Sequence, residues 1–328
     1  MASGRIVVVG ASAGGVRALQ FLASRLPPDF PAPILAVQHI GSHRSVLPDL
    51  LARNGPLSAS HATDGEALRP GHIHLAPPDH HMMVSDATIR LSRGPKENHS
   101  RPAIDPLFRS VAIEWGAAAI GVLLTGHLDD GTAGFVAIKQ CGGTTVVQDP
   151  DEAEAPSMPA SALRYAKVDY TLPLVEIGGV LAKLADTPPT PVPTPALATM
   201  RHENEIMRGS GDFMTHLQAI GKPSMFVCPD CDGGLWEIAG ASPPRYRCHT
   251  GHAYSLRNLQ HAQAERTDEA LWSAFRALQE RELLLRTALE NADLPPADLP
   301  RVRQQVGEIG RHAETLRELI ERVPPGVE

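Results

Sequence analysis

Gly10-Ala11-Ser12-Ala13-Gly14 sets a serine among small residues directly after the apolar run RIVVVG (5–10). In a G-x-S-x-G sequence between a strand and a helix, the turn is sharp enough to expose the hydroxyl, and the helix N-terminus offers unpaired N–H groups to a developing oxyanion. A serine hydroxyl is a weak nucleophile alone and needs a base, plus a group that orients the base. His39 follows a second apolar run, PILAVQHI (33–40), and the turn Asp129-Asp130-Gly131 follows a third, AIGVLLTG (119–126). Each residue also has a plainer reading. Glycine turns after a first strand hold nucleotide phosphates, His39 is one of 15 histidines, and Asp-Asp-Gly is an ordinary turn. A dinucleotide site, however, asks for an acidic residue at the end of the second strand, where this chain has Gln38-His39. Three triad-type residues at three strand ends favour a serine hydrolase.

A second set of residues has metal-ligand spacing. Cys228-Pro-Asp-Cys231 is followed, after 16 residues, by Cys248-His-Thr-Gly-His252. Cys228, Cys231, Cys248 and His252 supply tetrahedral zinc with four protein ligands, which leaves no open position and makes the metal structural. His249 is a competing nitrogen, but it adjoins Cys248 and is expected to point away. The alternative is free thiols in a small core. Cys141 stands apart, so the four cysteines form no disulfide framework and indicate a reducing compartment.

These residues require elements to position them. The three apolar runs precede amphipathic segments at 16–26, 45–54 and 130–142, and TTVVQD (144–149) adds another strand. Unbroken Val/Ile/Leu runs alternating with helices indicate an α/β fold with a doubly wound, mainly parallel sheet, in which all three triad candidates face the crevice at the strands' carboxyl ends. Residues 71–94 alternate polar and apolar, which predicts an antiparallel hairpin inserted in the sheet or edging it.

The composition changes at ADTPPTPVPTPA (185–196), whose prolines favour an extended linker. The expected division is a catalytic domain over 1–185, a proline-rich linker with a short helical segment over 186–222, the zinc-ribbon-like module over 223–254, and a helical hairpin over 255–328. A helix from about Leu256 to Asn291 carries a stripe of Leu271, Phe275, Leu278, Leu285 and Leu289, interrupted by Glu282. LPPADLP (294–300) breaks it. In the helix that follows, Val302, Val306, Ile309, Ala313, Leu316, Ile320 and Val323 repeat as a heptad seam. The stripes form either a coiled coil that recruits a signalling protein or the core of one small helical domain. On this division, the two halves should be separable, with a chain ending near Ala185 keeping its hydrolytic activity.

Size and charge narrow the function. At 328 residues with 42 % hydrophobic content, the chain has material for two or three folded units. A formal net charge of -7 supplies no overall basic field for nucleic acid or anionic lipid. Nothing approaches the roughly 20 apolar residues of a membrane span, and no secretory signal pattern opens the chain, so a cytoplasmic protein without membrane insertion is expected.

The motifs GASAGG, VQHI, DGEALRPGHIHLAPPDHHM, RPAIDPLFRSVA, GVLLTGHLDDGTAG and VVQDPDEAEAPSMP, in that order, resemble the catalytic domain of the chemotaxis protein-glutamate methylesterases (CheB) over about residues 5 to 180. The resemblance implies a Rossmann-like methylesterase domain with nucleophile Ser12, base His39 and orienting carboxylate Asp130, the residue directly before the glycine of the family's loop. It implies oxyanion stabilisation by the backbone amides of Ala13 and His127, and no cofactor for catalysis. It further implies that the substrate is a methylated, chemoreceptor-like helical protein, and that glutamine deamidation is a second reaction of the same type. Two departures stand out. Ala13 replaces the family's Thr or Ser, and His127-Leu128 replaces Met-Gly, where Leu128 is poorly suited to a positive φ. Family members usually begin with a receiver domain; only four residues precede the first strand here, so that control is expected to be absent, with the C-terminal extension in its place. The competing reading is a catalytically degenerate scaffold that recruits partners through the ribbon and the helices.

Overall fold

The computed structural model describes residues 4–41, 43–190, 198–209, 211–291 and 295–322. Residues 191–196 of the proline-rich stretch, Leu294 and the seam position Val323 lie outside the described residues.

The chain opens with β1 (Ile6–Ala11), α1 (Gly15–Ser24), β2 (Ile34–Gln38), α2 (Leu47–Asn54), β3 (Ser58–His61) and β4 (His72–Leu75). The hairpin β5 (His81–Ser85) and β6 (Thr88–Ser92) leads to α3 (Ile104–Trp115). Strand and helix then alternate through β7 (Ala119–Leu123), α4 (Thr132–Gln140), β8 (Thr144–Gln148), α5 (Ser157–Tyr165), β9 (Tyr170–Leu172) and α6 (Leu174–Asp186). Seven of these strands form one sheet in the order β3-β4-β2-β1-β7-β8-β9, every pairing parallel.

The unbroken apolar runs follow from a sheet covered on both faces. In β1, Ile6 and Val8 point into one core with Leu107 and Phe108 of α3, Phe135 and Ile138 of α4, and Met158 of α5. Val7 and Val9 point into the other, with Leu19 and Leu22 of α1, Leu51 of α2, and Ile177 and Leu181 of α6. Alternate side chains of a strand face opposite ways, so one strand feeds two cores, and the sheet is doubly wound.

The hairpin expected over 71–94 is only partly present. Residues 72–75 form a parallel strand inside the sheet, between β2 and β3. Only β5 and β6 pair as an antiparallel hairpin, as a separate sheet whose Met82, Val84 and Ile89 join the core against α3. Alternating polarity misleads at His72 and His74. Both are buried, because His72 bonds to the hydroxyls of Ser58 and Ser60, and His74 accepts from the Arg69 backbone N–H.

After α7 (Ala198–Arg208) and α8 (Phe213–Ile220) come β10 (Gly221–Val227), β11 (Gly234–Ile238), β12 (Arg245–Cys248) and β13 (Ala253–Ser255), a four-stranded antiparallel sheet in chain order. The helices α9 (Leu256–Glu290) and α10 (Leu299–Arg322) follow.

The expected boundary at the proline-rich stretch is not where the first compact unit ends. That unit continues to Leu259 and includes the Cys/His module, while Gln260–Val327 form the second. The reason is a buried charge cluster. Arg109 of α3 makes a two-pronged pair with Glu97 at 2.9 and 3.1 Å, Arg245 of β12 does the same with Glu203 of α7 at 2.6 and 2.9 Å, and Arg247 reaches both carboxylates. Removing one partner of such a buried set leaves a charge uncompensated and costs about 3–5 kcal/mol, so the module cannot leave the catalytic domain cheaply. In the second unit, α10 buries Val302, Ile309, Ala313 and Ile320 from the expected seam. The stripe positions of α9, Leu271, Phe275, Leu278, Leu285 and Leu289, are half-buried, as is Glu282 among them.

Candidate active site

The sheet order reverses between β1 and β7. β2, β4 and β3 lie on one side, β8 and β9 on the other, and open α/β sheets bind ligands in the crevice at such a switch point. Ser12 leaves β1 there, His39 leaves β2, and Asp130 lies in the loop after β7. The three side chains form one line. Ser12 Oγ is 3.0 Å from His39 Nδ1, and His39 Nε2 is 2.8 Å from Asp130 Oδ2. With the proton on Nε2 donated to Asp130, Nδ1 is left to accept the serine proton, the tautomer a nucleophile–base pair requires.

Asp130 is 2 % exposed, a costly place for a charge unless it is fully bonded. Oδ2 also accepts the Ile104 N–H at 2.7 Å, while Oδ1 accepts from Asn98 Nδ2 at 2.8 Å and the Asp105 N–H at 3.3 Å. The two backbone donors open α3, so the carboxylate lies at a helix N-terminus. Burial pushes the Asp130 carboxyl up, but the bond and charge of His39, with the Ile104 and Asn98 donors, outweigh it and hold the group below its ordinary value. Asp105 goes the other way. Burial first, then the charges of Asp130 and Glu97, push it well above the carboxylate range, which keeps the ionised form on Asp130.

The turn that carries Ser12 is fixed from both sides. The Ser12 N–H donates to Thr125 O at 3.0 Å, Gln38 Nε2 donates to Ser12 O at 2.8 Å, and the Thr125 hydroxyl donates to Ala13 O at 2.9 Å. Gly14 has φ 74, and a Cβ at Gly126 would lie 2.8 Å from the Ser12 Cβ, so the turn and its neighbour both need glycine. Among the described residues, the amides of Ala13 and His127 donate to no other group, so both are available to an oxyanion. Leu128 takes φ 61 despite its side chain, so the loop keeps a left-handed residue at a cost of about 1–2 kcal/mol. A cleft of about 250 Å³ opens beside His39, lined also by Asp79, Lys96, His99 and Arg101.

The CheB methylesterase family model matches residues 7–181. The chain belongs to the CheB methylesterase family. It is 41 % identical over 180 residues to a protein-glutamate methylesterase/protein-glutamine glutaminase of Anaeromyxobacter dehalogenans, an alignment covering 55 % of this chain and 53 % of that protein. To a putative enzyme of the same name from Leptospira interrogans it is 38 % identical over 180 residues, covering 54 % of this chain and 93 % of that one. The chain spans about half the length of several curated relatives it matches. The crystal structure of the Thermotoga maritima CheB methylesterase catalytic domain superposes with a TM-score of 0.54 at 35 % identity, over 56 % of this chain and all of that one.

The Cys/His module lies beyond the part matched to CheB. Its four expected ligand atoms, from Cys228, Cys231, Cys248 and His252, lie within 4.8 Å of one another. Cys231 Sγ is 3.6 Å from Cys248 Sγ, and His252 Nδ1 lies 3.7 Å from Cys228 Sγ and 3.6 Å from Cys248 Sγ. Thiolates about 2.3 Å from a tetrahedral zinc stand about 3.8 Å apart, so the donor set fits that ion. His249 packs over Gly233 and is not among the four gathered ligand atoms.

Several residues around this CheB site carry no sequence signal of their own. Gln38 was legible only as the absence of an acidic residue, yet it holds the Ser12 carbonyl. Asn98 lies in a loop just before the RPAIDPLFRSVA motif, and the Ile104 and Asp105 donors are backbone groups that no side-chain pattern announces. Ser255 and Asn258, far along the chain, bond to Asp129. The helices of the described residues include none long and apolar enough to cross a membrane.

Proposed function

We propose that this chain is a serine esterase that hydrolyses γ-glutamyl methyl esters on chemoreceptor-like helical proteins in chemosensory signalling. The observation that carries the reading is the continuous chain from Ser12 Oγ through His39 to Asp130, with bonds of 3.0 and 2.8 Å. Ser12 attacks the ester carbonyl while His39 Nδ1 takes its proton, and the Ala13 and His127 amides hold the tetrahedral oxyanion. His39 then protonates the departing methoxide. Water, activated by the same imidazole, releases glutamate from the acyl-enzyme. On a glutamine side chain the same steps release ammonia, which accounts for the deamidase activity proposed beside it. Lys96 at the cleft suits an acidic helical surface around the reacting side chain.

Zinc, held by Cys228, Cys231, Cys248 and His252, is proposed as a structural ion only, since no ligand belongs to the triad. The α9–α10 helices are proposed as the surface for a signalling partner, and a cytoplasmic location suits the thiol ligands. A scaffold without activity would not need an intact triad with free oxyanion donors. The test is methanol release from a methylated receptor. Ser12→Ala should abolish it without unfolding the protein, and residual activity within about tenfold of the parent would assign the chemistry to another group.

A further inference from the structure

We infer that Ser255 and Asn258, where the Cys/His module runs into α9, are positioning residues of the catalytic site: they hold Asp129, and the module through Asn98 holds the triad carboxylate. The inference rests on the esterase reading and adds to it a part of the chain that lies outside the family's matched region.

The contacts form a continuous path. Ser255 precedes α9 and caps it, its hydroxyl oxygen accepting the Asn258 N–H at 3.0 Å. The same hydroxyl donates to Asp129 Oδ1 at 2.6 Å, and Asn258 Nδ2 donates to that oxygen too. The Ser255 N–H donates to Asn98 Oδ1 at 2.9 Å, which orients the Asn98 amide so that its Nδ2 faces Asp130 Oδ1. Backbone pairing fastens the loop around Asn98 to β13. The Asn98 N–H donates to Ala253 O at 2.8 Å, and the Ala253 N–H donates to Lys96 O at 3.2 Å.

This loop would not hold its shape alone. Asn98 and His99 have φ of 51 and 63, and such a pair of non-glycine residues persists only where the surroundings over-determine it. The module supplies part of those surroundings: Glu97, held by Arg109 of α3, is also bonded by Arg247, and His99 lies 3.5 Å from Asp230 within the first C-x-x-C knuckle. Without them, Asn98 is free to relax and Asp130 loses one of its donors. Asp129 would be left as a buried carboxylate beside Asp130, in the same turn as the proposed oxyanion amide of His127.

The experiment combines hydrolysis of p-nitrophenyl acetate with proton NMR of the full chain, following the low-field imidazole N–H resonance that His39 gives when bonded to Asp130. In the double variant Ser255→Ala/Asn258→Ala, kcat should fall about tenfold with KM nearly unchanged, the scale of losing a hydrogen bond to a charged group. The His39 resonance should broaden or vanish, and Ser255→Thr, which keeps the hydroxyl, should retain both. A double variant with parental kcat and an intact resonance overturns the inference. Should that variant unfold the module, Asn98→Ala reads the same link, and an unchanged resonance and kcat in it also overturn the inference. If the parent protein shows no Ser12-dependent hydrolysis, the esterase reading fails, while the resonance still reports whether the module sets the His39–Asp130 geometry.

Discussion

The sheet crevice and the Cys/His module share one turn, and its neighbouring aspartates divide between them. Asp130 faces the first turn of α3 and accepts two of its backbone N–H groups. Asp129 faces the first turn of α9 and is met by the side chains Ser255 and Asn258. Their titration differs accordingly. Burial would raise both, but His39 and the α3 donors bring Asp130 below its usual value, whereas for Asp129 burial and the Asp130 charge prevail over Ser255 and Asn258, and it is raised. The same residue type thus faces the imidazole on one side and the side chains that open α9 on the other. What separates the roles is the number of fixed donors and the presence of the imidazole.

The largest effect is expected at the two carboxylates. Asp130→Asn should lower kcat by about a thousandfold or more, because an amide can donate to His39 Nε2 and favour the wrong tautomer. Asp129→Asn retains an acceptor oxygen for Ser255 and should stay within about tenfold of the parent. Steady-state kinetics on a small ester distinguish them, and equal losses would remove the assignment of Asp130 as the orienting group.

A smaller effect is expected from removing the proposed zinc. The proline-rich stretch predicts separable halves, but the contacts from β13 to Asn98 and Asp129 reverse that expectation. Stripping the metal should reduce kcat about tenfold while Ser12 remains present, and a chain ending near Ala185 should show at least the same loss. Parallel assays of zinc release and ester hydrolysis test this; full activity after complete release would return the module to the role of a detachable appendage.

Acid should act on the α3 side of the turn through His81. This side chain is wholly buried, its Nδ1 accepting from the Ala103 N–H and its Nε2–H donating to Pro95 O, and burial pushes its pKa down to about 4. Between the reference value near 6.5 and about 4, the unfolded chain holds a proton that the folded chain does not. Stability therefore falls as pH drops through that window, by roughly 3 kcal/mol in all, and the contribution is complete above it. Urea unfolding at a series of pH values measures the slope, which a neutral replacement at residue 81 should flatten.

The least effect belongs to Leu128. Leu128→Gly removes the penalty of its left-handed conformation but loosens the unfolded chain, so stability should change by less than about 1 kcal/mol. A larger stabilisation, read as a shift in melting temperature, would mean that the turn stores more strain than one left-handed residue accounts for.

The triad and the metal-ligand set were legible because each depends on short spacings. G-x-S-x-G after a strand, a histidine and an aspartate at later strand ends, and C-x-x-C with C-x-x-x-H all report local geometry, and a parallel sheet brings its carboxyl ends together whatever the loops contain. The strand status of 72–75 was not legible, since its buried histidines bond to the hydroxyls of Ser58 and Ser60 and to the Arg69 backbone N–H, with His74 Nδ1 facing Glu66 at 3.4 Å. Nor was the end of the first compact unit. Proline-rich composition describes a stretch of backbone, but it says nothing about what lies beyond it, and here Arg245 and Arg247 return to Glu203 and Glu97. The sequence by itself therefore determined which groups gather at the crevice and in the module. Only the tertiary structure decided what holds them, because a hydrogen bond between residues 98 and 255 or an ion pair between 97 and 247 is set by distance in space and leaves no periodicity along the chain.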